Sequence, residues 1–169
     1  MILKHLKKSL FINLSLTLLI FLLDRISKIY VIYLNDKFLG SEIFSSKFLN
    51  IILVWNEGIA FGLFSFDDKI LYNLLTIIIF IIIFIIGFMI VNSTKLKKYA
   101  LIMIFAGALG NLYDRIVFKA VPDFIDFHIQ GFHWFIFNFA DIFITSGVFF
   151  MILLEFIGNN KNKIEDEKY

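Results

Sequence analysis

Four long apolar runs dominate the pattern of hydrophobic and polar positions along the chain. The clearest lies between Lys69 and Lys95, where no charged residue interrupts the sequence. A helix needs about 20 mostly apolar residues to cross the roughly 30 Å of hydrocarbon in a bilayer. We therefore predict four transmembrane helices over about residues 9–33, 70–92, 99–117 and 138–157. The whole chain, residues 1–169, is expected to form a single all-α membrane domain.

Lysines are concentrated in three stretches that four spans would place on one side of the membrane. Because positively charged connections stay in the cytoplasm, both termini are predicted to be cytoplasmic. The tail over residues 159–169 is expected to be flexible. The three stretches contain Lys4, Lys7 and Lys8, then Lys95, Lys97 and Lys98, then Lys161, Lys163 and Lys168.

We expect structure outside the membrane only in the two connections on the side opposite the lysine-rich stretches. In the first, residues 48–55 and 60–66 are typical of strands, and Asn56-Glu57-Gly58 between them is a turn signal. We predict a small extracytoplasmic β-sheet there, between the first and second spans. The second connection, about residues 116–137, contains the only proline, Pro122, and is predicted to be a loop.

Composition excludes several classes of function. The chain is 60% hydrophobic and 18% charged, whereas a soluble domain is nearer half apolar and a quarter charged. It has no cysteine and three histidines, which leaves little for a zinc site, and we predict no metal and no cofactor. The net charge of +2 gives no reason to expect nucleic-acid binding.

Three carboxylates fall at a similar depth in three different spans. Asp24 lies 16 residues beyond Lys8, and Asp114 lies 16 residues beyond Lys98, which is about 24 Å along each helix. Asp141 is 14 residues from Glu155, or about 21 Å. We expect the three acids to meet near the outer edge of the hydrocarbon.

Structural roles compete with functional ones for most of these residues. Asp24 and Lys28 have the spacing of an ion pair on one helix face, and Asp114 with Arg115 could cap a helix at the headgroups. Asp141 is harder to explain in this way, because its neighbours are apolar and no cation follows within ten residues.

A pair of carboxylates in an apolar setting points to acid–base chemistry. Two close carboxylates share one proton, so one can activate water while the other protonates an amide carbonyl. A serine mechanism has less support, because Ser27, Ser65 and Ser146 have no evident histidine or lysine partner. A proton-coupled transporter would favour acids near the midplane, with repeats, and a scaffold would not need Asp141 in so apolar a setting.

Five segments carry a family resemblance: DRISK (24–28), NEGIAFG (56–62), GALGNLYDR (107–115), VPDF (121–124) and FNFAD (137–141). In these segments, and in their order, the chain resembles the bacterial lipoprotein signal peptidases, also called signal peptidase II. That resemblance implies a four-helix aspartic endopeptidase of the inner membrane, with its active site near the extracytoplasmic face. Such an enzyme removes signal peptides from prolipoproteins before a diacylglyceryl-modified cysteine, and globomycin-type inhibition would be expected.

The resemblance also implies roles for individual residues. Asp123 and Asp141 match the catalytic pair, whereas Asp126 lies outside the matched motif. The role of Arg115 stays open between orienting an aspartate and holding a lipid phosphate, and the turn at Asn56 is a candidate lid. We expect prolipoprotein substrates, membrane lipid and a monomer. The supporting positions are Asp24, Lys28, Asn56, Gly58, Ala60, Asn111, Arg115 and Asn138.

Overall fold

Four long helices form the body of the protein. The structure, a computed structural model, describes residues 2–58 and 69–166. The helices are α1 (Ile2–Lys37), α2 (Lys69–Asn92), α3 (Lys95–Phe118) and α4 (Phe139–Asp166). Each contains a segment long and apolar enough to cross a membrane: Ser9–Lys37, Ile70–Asn92, Lys95–Phe118 and Phe139–Gly158. The structure thus has four candidate membrane helices where four spans were predicted, and α4 continues as a helix into the segment expected to be a flexible tail.

The third helix lies at the centre of the bundle. It contacts α1, α2 and α4, and half of its apolar window is buried within the protein, against 6% for α2 and 17% for α1 and α4. The other three helices therefore expose most of their leucine, isoleucine and phenylalanine side chains outwards, as expected of helices that face lipid. This arrangement makes α3 the element against which the polar residues of its neighbours can be buried.

A four-stranded antiparallel sheet accompanies the helices. Its strands are β1 (Phe44–Ser45), β2 (Leu49–Asn56), β3 (Val121–Ile129) and β4 (Phe132–Phe137), in the order β1-β2-β3-β4. The strand predicted over residues 48–55 is confirmed as β2. The second predicted strand, over residues 60–66, and Ala60 lie outside the described residues.

Two of the four strands, β3 and β4, lie where the sequence analysis did not predict them. The connection over residues 116–137 was predicted to be a loop, but it forms the hairpin of β3 and β4, so the sheet draws on both connections and the all-α description is incomplete. Pro122 made the strand hard to recognise, because proline usually argues against a strand interior. The hairpin turns through Gln130 and Gly131, whose φ angles of 51° and 83° suit a tight two-residue turn.

Glycines allow α3 to lie unusually close to its neighbours. A Cβ atom at Gly107 would lie 2.6 Å from the carbonyl oxygen of Ala140 on α4. One at Gly147 would lie 2.7 Å from the carbonyl oxygen of Ala100. Small residues at such positions are how membrane helices bring their backbones together, and this contact fixes the start of α4 against α3.

We expect Gly107→Ala to destabilise the protein by about 1–3 kcal/mol, because the added methyl group would overpack a helix contact that has no room for it. Gly158→Ala is the matched control, since nothing lies within 4 Å of a Cβ atom there. Thermal unfolding of both variants in detergent measures the difference. Equal unfolding temperatures for the two variants would contradict the close packing of α3 and α4.

A buried cluster of two acids and two bases joins α1 to α3. Arg25 forms hydrogen bonds with both Asp24 and Asp114, and Lys28 lies 2.9 Å from Asp24 and 2.7 Å from Asp114. All four side chains are buried, with at most 8% of each residue exposed. The Asp24–Lys28 pair suggested by their spacing is present, and Asp114 pairs with Arg25 and Lys28 of α1 rather than capping a helix end.

The same cluster reaches the start of α4. Asp24 accepts a hydrogen bond of 3.1 Å from the backbone nitrogen of Ala140, one of the amide groups that the first turn of a helix leaves without a partner. The expected convergence of Asp24 and Asp114 near Asp141 is therefore confirmed, and their charges are balanced by Arg25 and Lys28.

Removing one charge from this balanced cluster should lower the stability of the folded protein. We expect Lys28→Met to lower the free energy of unfolding by about 3–5 kcal/mol, because it leaves buried carboxylate charge without its partner. Adding Asp114→Asn to Lys28→Met should recover part of the loss by removing the excess negative charge.

The matched control is Lys97→Met, which breaks an ion pair with Glu155 whose side chains are 48% and 61% exposed. Exposed pairs contribute little, so its unfolding temperature should stay close to that of the wild type. If Lys28→Met were as mild as this control, the cluster would not be holding α1 against α3.

Candidate functional site

Asp123 lies on β3 in a largely closed environment. Only 3% of the residue is exposed, and its backbone is opposite Val54 of β2. One carboxylate oxygen accepts a hydrogen bond of 2.8 Å from the side-chain amide of Asn56, at the end of β2. The other accepts a hydrogen bond from the side-chain amide of Asn138, directly before α4.

Asp141 lies in the first turn of α4. Its Oδ2 accepts the backbone N–H of Asn138, and the side chain of Asn138 in turn accepts the backbone N–H of Asp141, each at 3.1 Å. This reciprocal pair is a capping box, a common way to begin a helix. Its second oxygen, Oδ1, accepts a hydrogen bond of 2.8 Å from Asn111 on α3. The carboxylate therefore has a structural role as well as a location suited to chemistry.

Asn138 connects the two carboxylates. It donates its side-chain amide to Asp123 and its backbone N–H to Asp141, so both acids lie around a single residue although they come from different elements. The predicted site residues Asn56, Asn111 and Asn138 are thus brought together with Asp123 and Asp141.

The three asparagines have their amide groups oriented by other donors. The side-chain oxygen of Asn111 accepts a hydrogen bond of 2.7 Å from Lys28, and that of Asn56 accepts the backbone N–H of Gly58 at 2.9 Å. The side-chain oxygen of Asn138 accepts the backbone N–H of Asp141. Because an amide oxygen that is already accepting cannot exchange places with its NH₂ group, each NH₂ group is directed at a carboxylate. Lys28 therefore acts on Asp141 through Asn111.

The environment of Asp123 favours its protonated form. Burial, and then the negative charge of Asp141, raise the pKa of Asp123 from 3.8 to about 7, against the opposing hydrogen bonds from Asn56 and Asn138. The charge of Asp141 affects the pKa of Asp123 because the two carboxylates lie around Asn138, which contacts both. Asp123 therefore carries a proton more readily near neutral pH than an exposed aspartate does.

Arg115 fastens the turn after β2 to α3. Its guanidinium donates a hydrogen bond of 2.9 Å to the carbonyl oxygen of Gly58 and one of 3.2 Å to that of Asn111. Among the described residues it forms no ion pair with either site aspartate, and the residue is 96% buried. Its hydrogen bonds hold the segment that carries Asn56 against α3.

Asp126, the other acid on β3, has different partners. It lies 2.8 Å from His133 and 3.4 Å from Asn50, and Asn138 pairs with Asp123 instead. Asp126 is therefore separate from the Asp123–Asp141 pair, as its place outside the matched motif implied.

Two cavities adjoin Asp141. One of about 260 Å³ is lined by Asn111, Arg115 and Asp141 together with isoleucines of α2, α3 and α4. Another, of about 290 Å³, is lined by Phe137, Asp141 and the next turn of α4. Polar groups at the edge of an apolar cleft are the usual form of a site that binds an apolar ligand and acts on one polar group of it.

Sequence reasoning overlooked two features of the site. The partners of Asp114 include Arg25, which was not among the predicted site residues although it directly follows Asp24. The capping box was also missed, and the signal for it was present, since Asn138 and Asp141 have the Asn-x-x-acid spacing directly before an apolar run.

Comparison with known proteins identifies the family. A family model described as signal peptidase (SPase) II matches residues 16–157. The lipoprotein signal peptidase of Pelagibacter ubique (strain HTCC1062) is 49% identical over 158 residues, which cover 94% of this chain and 95% of the relative. That of Anaplasma marginale (strain Florida) is 38% identical over 150 residues, with 88% of this chain and 86% of the relative covered.

A solved structure agrees with the sequence relatives. A bacterial membrane enzyme determined by the in meso method at 2.3 Å resolution superimposes with a TM-score of 0.67 and 30% identity, covering 89% of this chain and 90% of that one. The fold, the multi-pass helices and the match over nearly the whole length lead to one assignment. The chain belongs to the signal peptidase II family.

Proposed function

We propose that this protein is an aspartic endopeptidase that cleaves the signal peptide from prolipoproteins, directly before a diacylglyceryl-modified cysteine, with Asp123 and Asp141 as its catalytic pair. The observation that carries the proposal is the contact of both carboxylates with Asn138, next to a largely apolar cavity that Asp141 lines. A signal peptide is an apolar helix with one peptide bond to be broken, and such a site offers an apolar cleft beside two acids.

The reaction uses the pair as a general acid and a general base. The ionised carboxylate removes a proton from water, and the water oxygen attacks the carbonyl carbon of the peptide bond. The protonated carboxyl donates its proton to the carbonyl oxygen, which gives a tetrahedral intermediate. When the C–N bond breaks, the proton taken from water passes to the leaving amine. The hydroxyl formed from the carbonyl oxygen returns its proton to the other carboxylate as the C=O bond re-forms, so the pair again holds one proton.

The three asparagines and Lys28 hold the pair in place for this chemistry. Asn56, Asn111 and Asn138 donate to the carboxylates and fix their orientation, while Lys28 and Asp24 hold α1 and α3 beside them. Preorganised donors of this kind need no rearrangement during reaction. Gly58 and Arg115 position the turn after β2, which we propose as a lid over the bound peptide.

The orientation in the membrane follows from charge. We propose that both termini are cytoplasmic, since the lysine-rich stretches come at the ends of the spans that share that side. The sheet and the catalytic pair then lie near the extracytoplasmic face of the bacterial inner membrane, where the exported precursor is presented. The protein acts as a monomer in contact with membrane lipid, and the proposed reaction needs no cofactor.

Replacement of either acid by its amide tests the proposed pair. We expect Asp123→Asn and Asp141→Asn each to reduce cleavage of a lipidated precursor by about 10²–10⁴-fold, because each removes a proton-transfer group. The gel shift that accompanies loss of the signal peptide measures this. Asp36→Asn, at the exposed end of α1, is the control and should retain activity. Full processing by either site variant would remove these aspartates from the mechanism.

The rate should depend on pH in a direction set by Asp123. Its pKa is raised to about 7, so the pair holds a proton below that pH and loses it above. Since a doubly ionised pair has no acid to donate, we expect the cleavage rate to fall as the pH rises through about 7. A rate constant that stays level from pH 6 to pH 9, measured at saturating precursor in detergent micelles, would contradict the shared proton.

A further inference from the structure

Two of the three histidines of the chain lie together on the hairpin of β3 and β4, away from the catalytic pair. His128 is directly opposite His133 in the antiparallel register, and their rings stack with centroids 5.0 Å apart and an angle of 24° between planes. Asp126 of the same strand accompanies them, with a carboxylate oxygen 2.8 Å from Nδ1 of His133. Directly opposite residues of an antiparallel pair have their side chains on the same face, so the hairpin presents this cluster as a unit.

Two polar atoms of the cluster lack a protein partner. Asp126 is 96% buried, and its Oδ1 forms no hydrogen bond with any described residue, and neither does the buried Nδ1 of His128. Buried polar atoms nearly always have a partner, and a buried carboxylate oxygen without one is costly. Both atoms belong to residue types that bind metal ions.

We propose that Asp126, His128 and His133 bind a divalent transition-metal ion of the zinc class. One ligand atom from each residue lies within 4.8 Å of the others. Two imidazoles and a carboxylate form a common ligand set for such ions, with the remaining coordination positions open to water. The side chain of His133 is 56% exposed, so solvent can reach the site.

The site is structural in this proposal. The ion links β3 to β4, and β3 carries Asp123 three residues before Asp126, so binding stabilises the strand that presents a catalytic acid without contacting the substrate. The metal site does not depend on the proposed function, because its ligands are separate from the partners of Asp123 and Asp141. It departs from the expectation that three histidines leave little for zinc, since two of them meet across the hairpin.

The simpler alternative is an ion pair between Asp126 and His133 with no metal. It accounts for the 2.8 Å contact, but it leaves Oδ1 of Asp126 and Nδ1 of His128 without partners. A bound metal ion would give the Asp126 carboxylate and the His128 imidazole a partner. The two interpretations differ in whether Zn²⁺ binds to the purified protein and stabilises it.

The experiment titrates Zn²⁺ into the tag-free, metal-stripped protein in detergent and follows binding by calorimetry and stability by thermal unfolding. The wild type should bind a single zinc ion per chain and unfold at a higher temperature as zinc is added, because an ion bound only by the folded state stabilises it. His133→Asn, at an exposed position chosen so that folding is retained, should bind zinc about tenfold more weakly or worse. His5→Asn removes the histidine outside the cluster and should behave as the wild type.

A second measurement identifies the ligands directly. With Cu²⁺ as the probe, electron paramagnetic resonance should show coupling to two imidazole nitrogens in the wild type and to one in His133→Asn. The proposal is overturned if the wild type shows no saturable zinc binding, or if His133→Asn binds zinc as tightly as His5→Asn. Either result would leave an Asp126–His133 ion pair only.

Discussion

The need to give every oxygen of two buried carboxylates a donor governs the architecture of this protein. Asn111 donates to Asp141, Asn138 donates to both acids, and Asn56 donates to Asp123. The sequence of contacts then closes on itself, because Gly58 donates to Asn56, and Arg115 binds the carbonyl oxygens of Gly58 and Asn111. A ring of hydrogen bonds thus joins α3, α4, β3 and the end of β2.

That ring requires helices that lie close together and remain electrically balanced. Gly107 and Gly147 let the backbones of α3 and α4 approach, which brings Asn111 within reach of the first turn of α4. Arg25 and Lys28 neutralise Asp24 and Asp114 beside it. Without that neutralisation, two further negative charges would lie near the pair and would disfavour the singly ionised state that the proposed mechanism needs.

Both aspartates of the pair are held firmly by hydrogen bonds, and Asp123 can nevertheless take up a proton near neutral pH. Asp123 receives two amide hydrogen bonds, which favour its ionised form, yet burial and Asp141 outweigh them and hold its pKa near 7. Asp141 serves as the helix cap of α4 and also lines the cavity. In the proposed mechanism, this location at the start of a helix holds Asp141 rigidly, which suits a group that must act on a single peptide bond.

Parts of the fold and site followed from local patterns. The four long apolar helices were predictable because apolar length alone decides whether a helix can cross a bilayer. That Asp24, Asp114 and Asp141 lie near one another followed from counting residues between charges. The hairpin of β3 and β4 could not be predicted from the sequence, because Pro122 argues against a strand at this position. The strand β3 forms where β2 lies alongside and pairs with it. The partner of Arg115 was also out of reach, because the carbonyl oxygen of Gly58 carries no signature in the sequence.

The sequence by itself determined the number of spans, the residues that match the family and the acids placed in apolar surroundings. Only the tertiary structure decided that Asn138 would contact both Asp123 and Asp141. It also decided that Arg25 would form hydrogen bonds with Asp24 and Asp114, and that the rings of His128 and His133 would stack beside Asp126. The reason is physical. Apolar periodicity is a local property of a chain, whereas hydrogen-bond partners are set by how helices and strands distant in sequence pack together.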